Sequence, residues 1–589
     1  MAVARLALTS FADGEVRLSD EVEVYQRTYN TLLRSSGETQ LRVLEPSHRA
    51  TGSSLHSLAA SAELDLGAFL YAVRRLPDGI VGARLVVMGQ DVEALRANGI
   101  PVDSWVEAEA PARRRRWYDS GEGTLAVLMA SASDVDDLVP TLVAFQIEWN
   151  KIRVRMRAAG WPDSDGEIPP DECARELGGS VDDWTRLVDA WGENFSPRMR
   201  LIGKQRLALR VRMLGGSHTG YARLTRTWWA PVSAELAIEG LTERPLYFVS
   251  SNTHSLVNIV TGIARERESE LIGFVEQMDK RDPLRLELGA FRDGQTEGSW
   301  ENFMYFVARL YFTARGEQGY GERRAAEMER GVTHLRSRTA LRVPAQVIPL
   351  SRLSAEAMDP RVGEVDASVL AESDAVIVNI DYPLGVAAYN ILREVAVDRT
   401  ALRGVYVLGK AATLNADVGD VMISSVVHDE HSGTTYWLDN AFSVDDIAPD
   451  LRFGTGLDNQ RAVTVKSTFL QNRSYLDFYY REAFTVVEME AGPYCDAVYE
   501  IADADRYPVG EAVNFSKLPL DLGIIHYASD TPYTQARTLG ARGLSYYGVD
   551  STYASSLAIL RRILVLEGVL ADSATRPTRR PDATPSSAR

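Results

Sequence analysis

The chain reads as an α/β protein whose C-terminal part carries a largely parallel or mixed sheet flanked by helices. Three observations point there. From about residue 375 onward, short apolar β-type runs alternate with helical stretches, the pattern of a sheet covered on both faces. Two further strand-then-helix patterns stand near the N-terminus. Finally, Val486-Val487-Glu488-Met489-Glu490-Ala491 and Ile524-Ile525-His526-Tyr527-Ala528-Ser529-Asp530 are apolar runs that end in carboxylates. Open α/β sheets hold ligands at the carboxyl ends of their strands, so Glu488, Glu490 and Asp530 are expected on one rim.

Taken in order, residues 1–165 form a mixed α/β region. A strand is expected over 83–89 with a helix from Asp91, and a second strand over 124–130. The helical run that follows reaches Trp149, and Pro140 is expected to interrupt or restart it. The Gly- and Pro-rich stretch 160–170 has linker composition. Residues 166–345 read as mainly helical, with one clear strand over 245–249. That strand enters the polar loop Ser250–Ser255 ahead of an apolar helix. Free backbone N–H groups there suit an anion, but capping by Ser251, Asn252 or Thr253 accounts for the same residues and is preferred. Residues 346–570 carry strands expected over 375–380, 405–408, 421–424, 462–465, 484–487 and 523–527. Helices are expected after Gly385, from about Pro493, and over 552–570, where Leu557, Leu560 and Leu564 share a side. Residues 571–589, rich in Pro, Arg, Ser and Thr, read as a disordered tail.

With 589 residues, the chain has room for three or four domains of roughly 100–200 residues. No apolar run reaches the ~18 residues of a membrane span, and the N-terminus lacks the form of a secretory signal. The two cysteines, Cys173 and Cys495, lie too far apart in sequence to suggest a disulfide framework, and a cytoplasmic location is expected. The net charge of −17 argues against nucleic-acid and membrane partners, because phosphate neutralisation needs clustered cations. The one basic run, Arg113–Arg116, could bind a polyanion, but a solvated loop between acidic segments is the preferred reading.

Four segments in order resemble the purine nucleoside phosphorylase/nucleosidase superfamily, over about residues 370–570. Val376 to Gly385 resembles that family's first-strand, phosphate-side loop. Leu408-Gly-Lys-Ala-Ala-Thr-Leu414 with Val418-Gly-Asp-Val-Met-Ile423 resembles its small-residue loop and the strand after it. Val487-Glu-Met-Glu-Ala491 resembles its ribose signature, and Ser529-Asp530 its base-side pair. The resemblance implies a nucleoside phosphorylase-like mixed sheet and cleavage of the N-glycosidic bond of a nucleoside or nucleotide, with a purine base favoured. It implies Glu490 and Met489 at the ribose, and Glu488 near the sugar edge or a nucleophilic water. Ser529 and Phe469 fall at the base, with Asp530 as the acid that protonates the leaving base. A carboxylate accepts two ribose hydroxyls with charge-assisted strength, and a carboxylic acid beside the base supplies the proton its departure requires.

The chain also departs from the family pattern. The stretches Pro383–Val386 and Tyr406–Gly409 lack the arginines of phosphorolytic members, and Lys410 stands where the family has a phosphate-contacting serine. Lys410 and Asp381 are the candidate anion-binding residues. Hydrolysis and phosphorolysis both stay open, with weight toward water; phosphate is a candidate co-substrate, and no cofactor or metal is expected. His428-Asp-Glu-His431 has donors for a metal but reads better as a polar turn. A Ser529–His526–Asp530 triad is rejected, because neighbours along one strand cannot supply the relay geometry. The segment 507–517 reads as an insertion and candidate lid. The expected protein is a homo-oligomeric enzyme; the alternative is a nucleotide-sensing protein that binds without turnover.

Overall fold

The computed structural model describes residues 21–35, 37–161, 166–397, 402–503, 505, 507–530 and 546–571. The chain is α/β with two mixed sheets. Strands β1 (Thr39–Gln40), β2 (Leu85–Gly89), β3 (Val106–Ala110), β4 (Arg113–Asp119), β5 (Thr124–Leu128) and β6 (Arg210–Leu214) form the first sheet, in the order β1-β6-β2-β5-β4-β3. β2 lies parallel to β5 and β6, while β4 and β3 fold back antiparallel.

After β5 comes one unbroken helix, Ala132–Ala159, opened by a Ser131/Asp134 capping box. Pro140 does not interrupt it. Proline removes the donor that the Asp136 carbonyl would use, but Leu138, Leu142 and Phe145 are fully buried around that turn and hold the helix in place.

The second sheet contains β7 (Leu246–Ser251), β8 (Thr333–Leu335), β9 (Ala345–Pro349), β10 (Val376–Asp381), β11 (Leu402–Thr413), β12 (Val421–Asp429), β13 (Thr435–Leu438), β14 (Gly456–Thr464), β15 (Val486–Glu488), β16 (Ala512–Phe515) and β17 (Asp521–Asp530). Its order is β16-β13-β12-β14-β15-β11-β7-β10-β9-β8, and β17 pairs with both β11 and β12. β11, β17, β12, β14 and β15 therefore close a ring. β10, β7, β11 and β17 run parallel, so their carboxyl ends share one rim. β7 and β9 are buried at every residue, as expected of strands covered on both faces.

Several expectations change. The last strand of the first sheet ends at Leu214 and the first strand of the second begins at Leu246. Besides the expected β7, two strands, β6 and β8, lie inside the stretch expected to be mainly helical. β10 is not the first strand of its sheet: β7 precedes it in the chain and sits between β10 and β11. The expected lid at 507–517 contains β16, which pairs with β13 at the sheet edge. His428 belongs to β12 and pairs with Thr435, so only the residues after Asp429 make the polar turn. Residues 572–589, nearly all of the expected disordered tail, lie outside the described residues.

The two sheets share one apolar cluster, in which Val87 and Leu128 of the first join Leu246, Val378 and Val405 of the second and Trp228 of the helix His218–Ile238. Among the described residues no helix is long and apolar enough to cross a membrane.

Candidate functional site

A cavity of about 880 Å³ opens where the first sheet meets the carboxyl rim of the second. Asp381 at the end of β10, Lys410 on β11, Glu488 at the end of β15, Met489 and Glu490 just after it, and Ser529 on β17 all line it. β15 reaches this rim by an unexpected route. It is antiparallel to β11 but pairs only with the last residues of that long strand, Ala412 with Val487 and Thr413 with Val486. Glu488 is thereby turned back toward Lys410, and the Glu-Met-Glu segment enters the cavity.

Glu488 is 4% exposed. One oxygen accepts the backbone N–H groups of Glu490 and Ala491, both at 2.6 Å, and the other accepts the Thr464 hydroxyl. His526, buried inside the ring, sets its Nε2 3.8 Å from the same carboxylate. The expected place near the sugar edge or a nucleophilic water is joined here by a positioning role. With both oxygens committed, Glu488 fixes the start of the helix Ala491–Ala502 and so holds Glu490 in place.

Glu490 itself is half-buried and lines the cavity. Burial, then repulsion from Glu488, pushes its carboxyl up to about 8, with the Gly385 N–H and Arg113 pulling the other way. That N–H stands 3.5 Å from Oε1. Gly385 has φ +54, and a Cβ there would meet Ser133 Oγ at 2.2 Å, so the glycine lets this loop lie against the helix Ala132–Ala159. Val386 N–H donates to the same Ser133 hydroxyl at 2.9 Å. Asp381 is also raised by burial, against the opposing pull of Arg114 and then Lys410.

The opposite wall comes from the first sheet. Tyr71 and Arg75, on the helix Leu66–Arg75, line it together with Arg113, Arg114 and Arg115 of β4. The basic run is thus a strand and not a solvated loop. Its charges are housed: Arg113 grips Asp137 through Nε and Nη2, both at 3.1 Å, and Arg115 bonds Asp134 at 2.8 Å and Asp137 at 2.7 Å. Arg114 crosses to the other sheet, pairing with Asp381 and donating to the Tyr382 carbonyl at 2.7 Å. Sequence reasoning missed this wall, although four consecutive arginines were the visible signal.

Phe469 is corrected as a base-binding residue. It is 1% exposed and does not line the cavity. Its ring packs edge-on against Tyr71 at 5.1 Å and near His48 and His56 at 6.0 and 6.2 Å. It therefore joins the two parts of the chain, as does the Tyr71 hydroxyl bond to Thr468 at 2.9 Å. The aromatic ring left at the cavity's sheet side is Tyr382. The Asp530 backbone ends β17 opposite Ala412, but its side chain lies outside the described residues. In the Ser250–Ser255 loop, Asn252 Oδ1 accepts from His254 N–H at 2.9 Å and Ser255 N–H at 2.7 Å, which is capping.

The site is thus a buried, carboxylate-floored and arginine-walled cavity at a sheet rim. The chain belongs to the Family of unknown function (DUF6909), whose model matches residues 41–565. No curated protein matches it. Solved structures similar to part of the chain include two 5′-methylthioadenosine/S-adenosylhomocysteine nucleosidases. The one from Colwellia psychrerythraea, solved with adenine, is 12% identical over 39% of this chain and 85% of its own, with a TM-score of 0.25. The one from S. pneumoniae, solved with a transition-state inhibitor, is 12% identical over 41% and 95%, with a TM-score of 0.26. A uridine phosphorylase from Vibrio fischeri is 12% identical over 42% and 86%, with a TM-score of 0.25.

Proposed function

We propose that the cavity binds a nucleoside or nucleotide and that the protein cleaves its N-glycosidic bond. The observation that carries this reading is convergence. Met489, Glu490, Ser529, Lys410 and Asp381, separated by up to 148 positions in the chain, line one cavity. Glu490 accepts the ribose hydroxyls, and an ionised carboxylate makes each such bond stronger than a neutral acceptor would. Tyr382 offers an aromatic face. In hydrolysis the C1′–N bond breaks with its electron pair leaving on the base. Asp530 gives that base a proton, and water supplies the hydroxyl that bonds C1′ and loses its second proton to solvent. In phosphorolysis an orthophosphate oxygen takes the place of water.

A second reading is a sensor that binds without turnover. The hydrogen bonds already made by both Glu488 oxygens favour it, because they compete with a contact to a nucleophilic water. Free-base release from ribonucleosides and their 5′-monophosphates, with and without orthophosphate, separates the readings. Release supports the enzyme; saturable binding without release supports the sensor.

A further inference from the structure

We infer that β4 is a phosphate-recognising wall, so that the ligand of the cavity is a nucleoside 5′-monophosphate rather than a free nucleoside. This inference rests on the nucleoside reading of the site and adds the substrate class to it.

The charge distribution is the first support. The chain carries net charge −17, yet among the residues that line this cavity seven cations, Lys410 and six arginines, outnumber six carboxylates. The second sheet's own rim brings Lys410 to this group. Three of the arginines, Arg113, Arg114 and Arg115, come from β4 of the first sheet.

The donor inventory is the second support. A guanidinium has five N–H donors in a planar fork that matches phosphate oxygens. Arg113 spends Nε and Nη2 on Asp137, and Arg115 spends Nε and Nη2 on Asp134 and Asp137. The Nη1 donors remain. Arg115 is 4% exposed, and its Nη1 has no hydrogen-bond partner among the described residues. A buried donor left without an acceptor is costly, and a phosphate oxygen would satisfy it.

Preorganisation is the third. Asp134 and Asp137 hold both guanidiniums in one orientation before any ligand arrives, which lowers the entropy lost on binding. Asp134 opens the long helix and Asp137 lies one turn into it, so the carboxylates themselves sit on a rigid element. Space is adequate as well. About 880 Å³ lies at the upper end of the roughly 300–1,000 Å³ typical of small-molecule sites, leaving room for more than a base and a sugar. Proximity to the sugar site is shown by Arg113, whose charge acts directly on the Glu490 carboxyl.

Orthophosphate and a nucleotide 5′-phosphate present the same oxygens to these donors, so the test must separate them. Full-length protein is assayed for base release and, by calorimetry, for binding. The probes are the four common ribonucleosides, their 5′-monophosphates, and orthophosphate alone or added to the nucleosides. The inference expects kcat/KM, or affinity, for the best monophosphate to exceed that for its nucleoside by roughly 100-fold, as two charge-assisted bonds allow. It also expects no gain when orthophosphate is added to nucleosides. Arg113→Lys keeps the charge but loses the fork, and should cut the nucleotide-to-nucleoside ratio about 10-fold or more. Arg113 shares Asp137 with Arg115, so folding is checked by circular dichroism, and a second variant, Arg113→Gln, should lower the same ratio at least as far. A ratio near one in the wild type overturns the inference while leaving glycosidic cleavage intact. So does nucleoside turnover that depends on orthophosphate. Tight nucleotide binding without base release leaves this inference standing and removes the catalytic reading.

Discussion

Replacing Glu490 by Gln tests the electrostatics of the cavity floor. Glutamine keeps the shape of the protonated acid and an acceptor for the Gly385 N–H, but cannot ionise. In the folded protein the Glu490 carboxyl is raised from its ordinary 4.5 to about 8. Between those two values the folded state keeps a proton that the unfolded chain has released. Stability therefore falls as pH rises through that window. At about 1.4 kcal/mol per pH unit, the rise caps the loss at about 5 kcal/mol, and water in the cavity screens part of it. Glu490→Gln should lie within about 0.5 kcal/mol of the wild type at pH 4.5, where the folded state carries the proton and the unfolded chain still carries half of it, and exceed it by about 2–4 kcal/mol at pH 9. Urea unfolding of both proteins at pH 4.5, 7 and 9 reads the difference directly. Other groups titrate in the same range, among them Asp496, raised to about 8 by burial and Asp429, but they cancel in the comparison. A wild-type-to-variant difference that stays constant from pH 4.5 to 9 would refute the raised carboxyl.

Four further outcomes follow from the same geometry. If Glu490 must ionise to accept ribose hydroxyls, nucleotide binding at pH 7 releases a proton; calorimetric heats identical across buffers of different ionisation enthalpy would contradict this. Glu488→Gln replaces an anion that accepts two backbone N–H groups and a hydroxyl. It should lower stability by about 2–4 kcal/mol and weaken ligand binding through Glu490, and an unaltered melting temperature would count against the positioning role. Phe469→Ala should cost about 3–5 kcal/mol of stability as a buried large-to-small change while leaving the preference among bases intact; altered base selectivity in a stable variant would restore its sequence-based role. Asp530→Asn should reduce turnover by roughly 10²–10⁴-fold with ligand still bound, and near-normal activity in folded protein would end its assignment as the acid.

The strands β7, β10, β11, β12, β14, β15 and β17 and the Glu-Met-Glu segment were legible in the chain because each is a local pattern. An apolar run such as Val376–Ile380, or one that ends in carboxylates, encodes its own burial. That locality also marks the limit. β6 and β8 are short and carry charged or half-buried residues, so nothing local separates them from helix or loop; their partners β2 and β9 hold them. Phe469 in isolation suits a stacking face, and only the approach of Tyr71, His48 and His56 from the other part of the chain encloses it. Glu488 and Glu490 are one residue apart and of one type. The tertiary structure gives Thr464 and two backbone N–H groups to the first and the open cavity to the second, and so assigns them different work. Arg113, Arg114 and Arg115 show the rule most plainly. In sequence they are a charge run, which is usually a solvated surface. In the fold they are bound to Asp134 and Asp137, which the helix after β5 lays against β4, and to Asp381, which only the packing of one sheet against the rim of the other brings within reach.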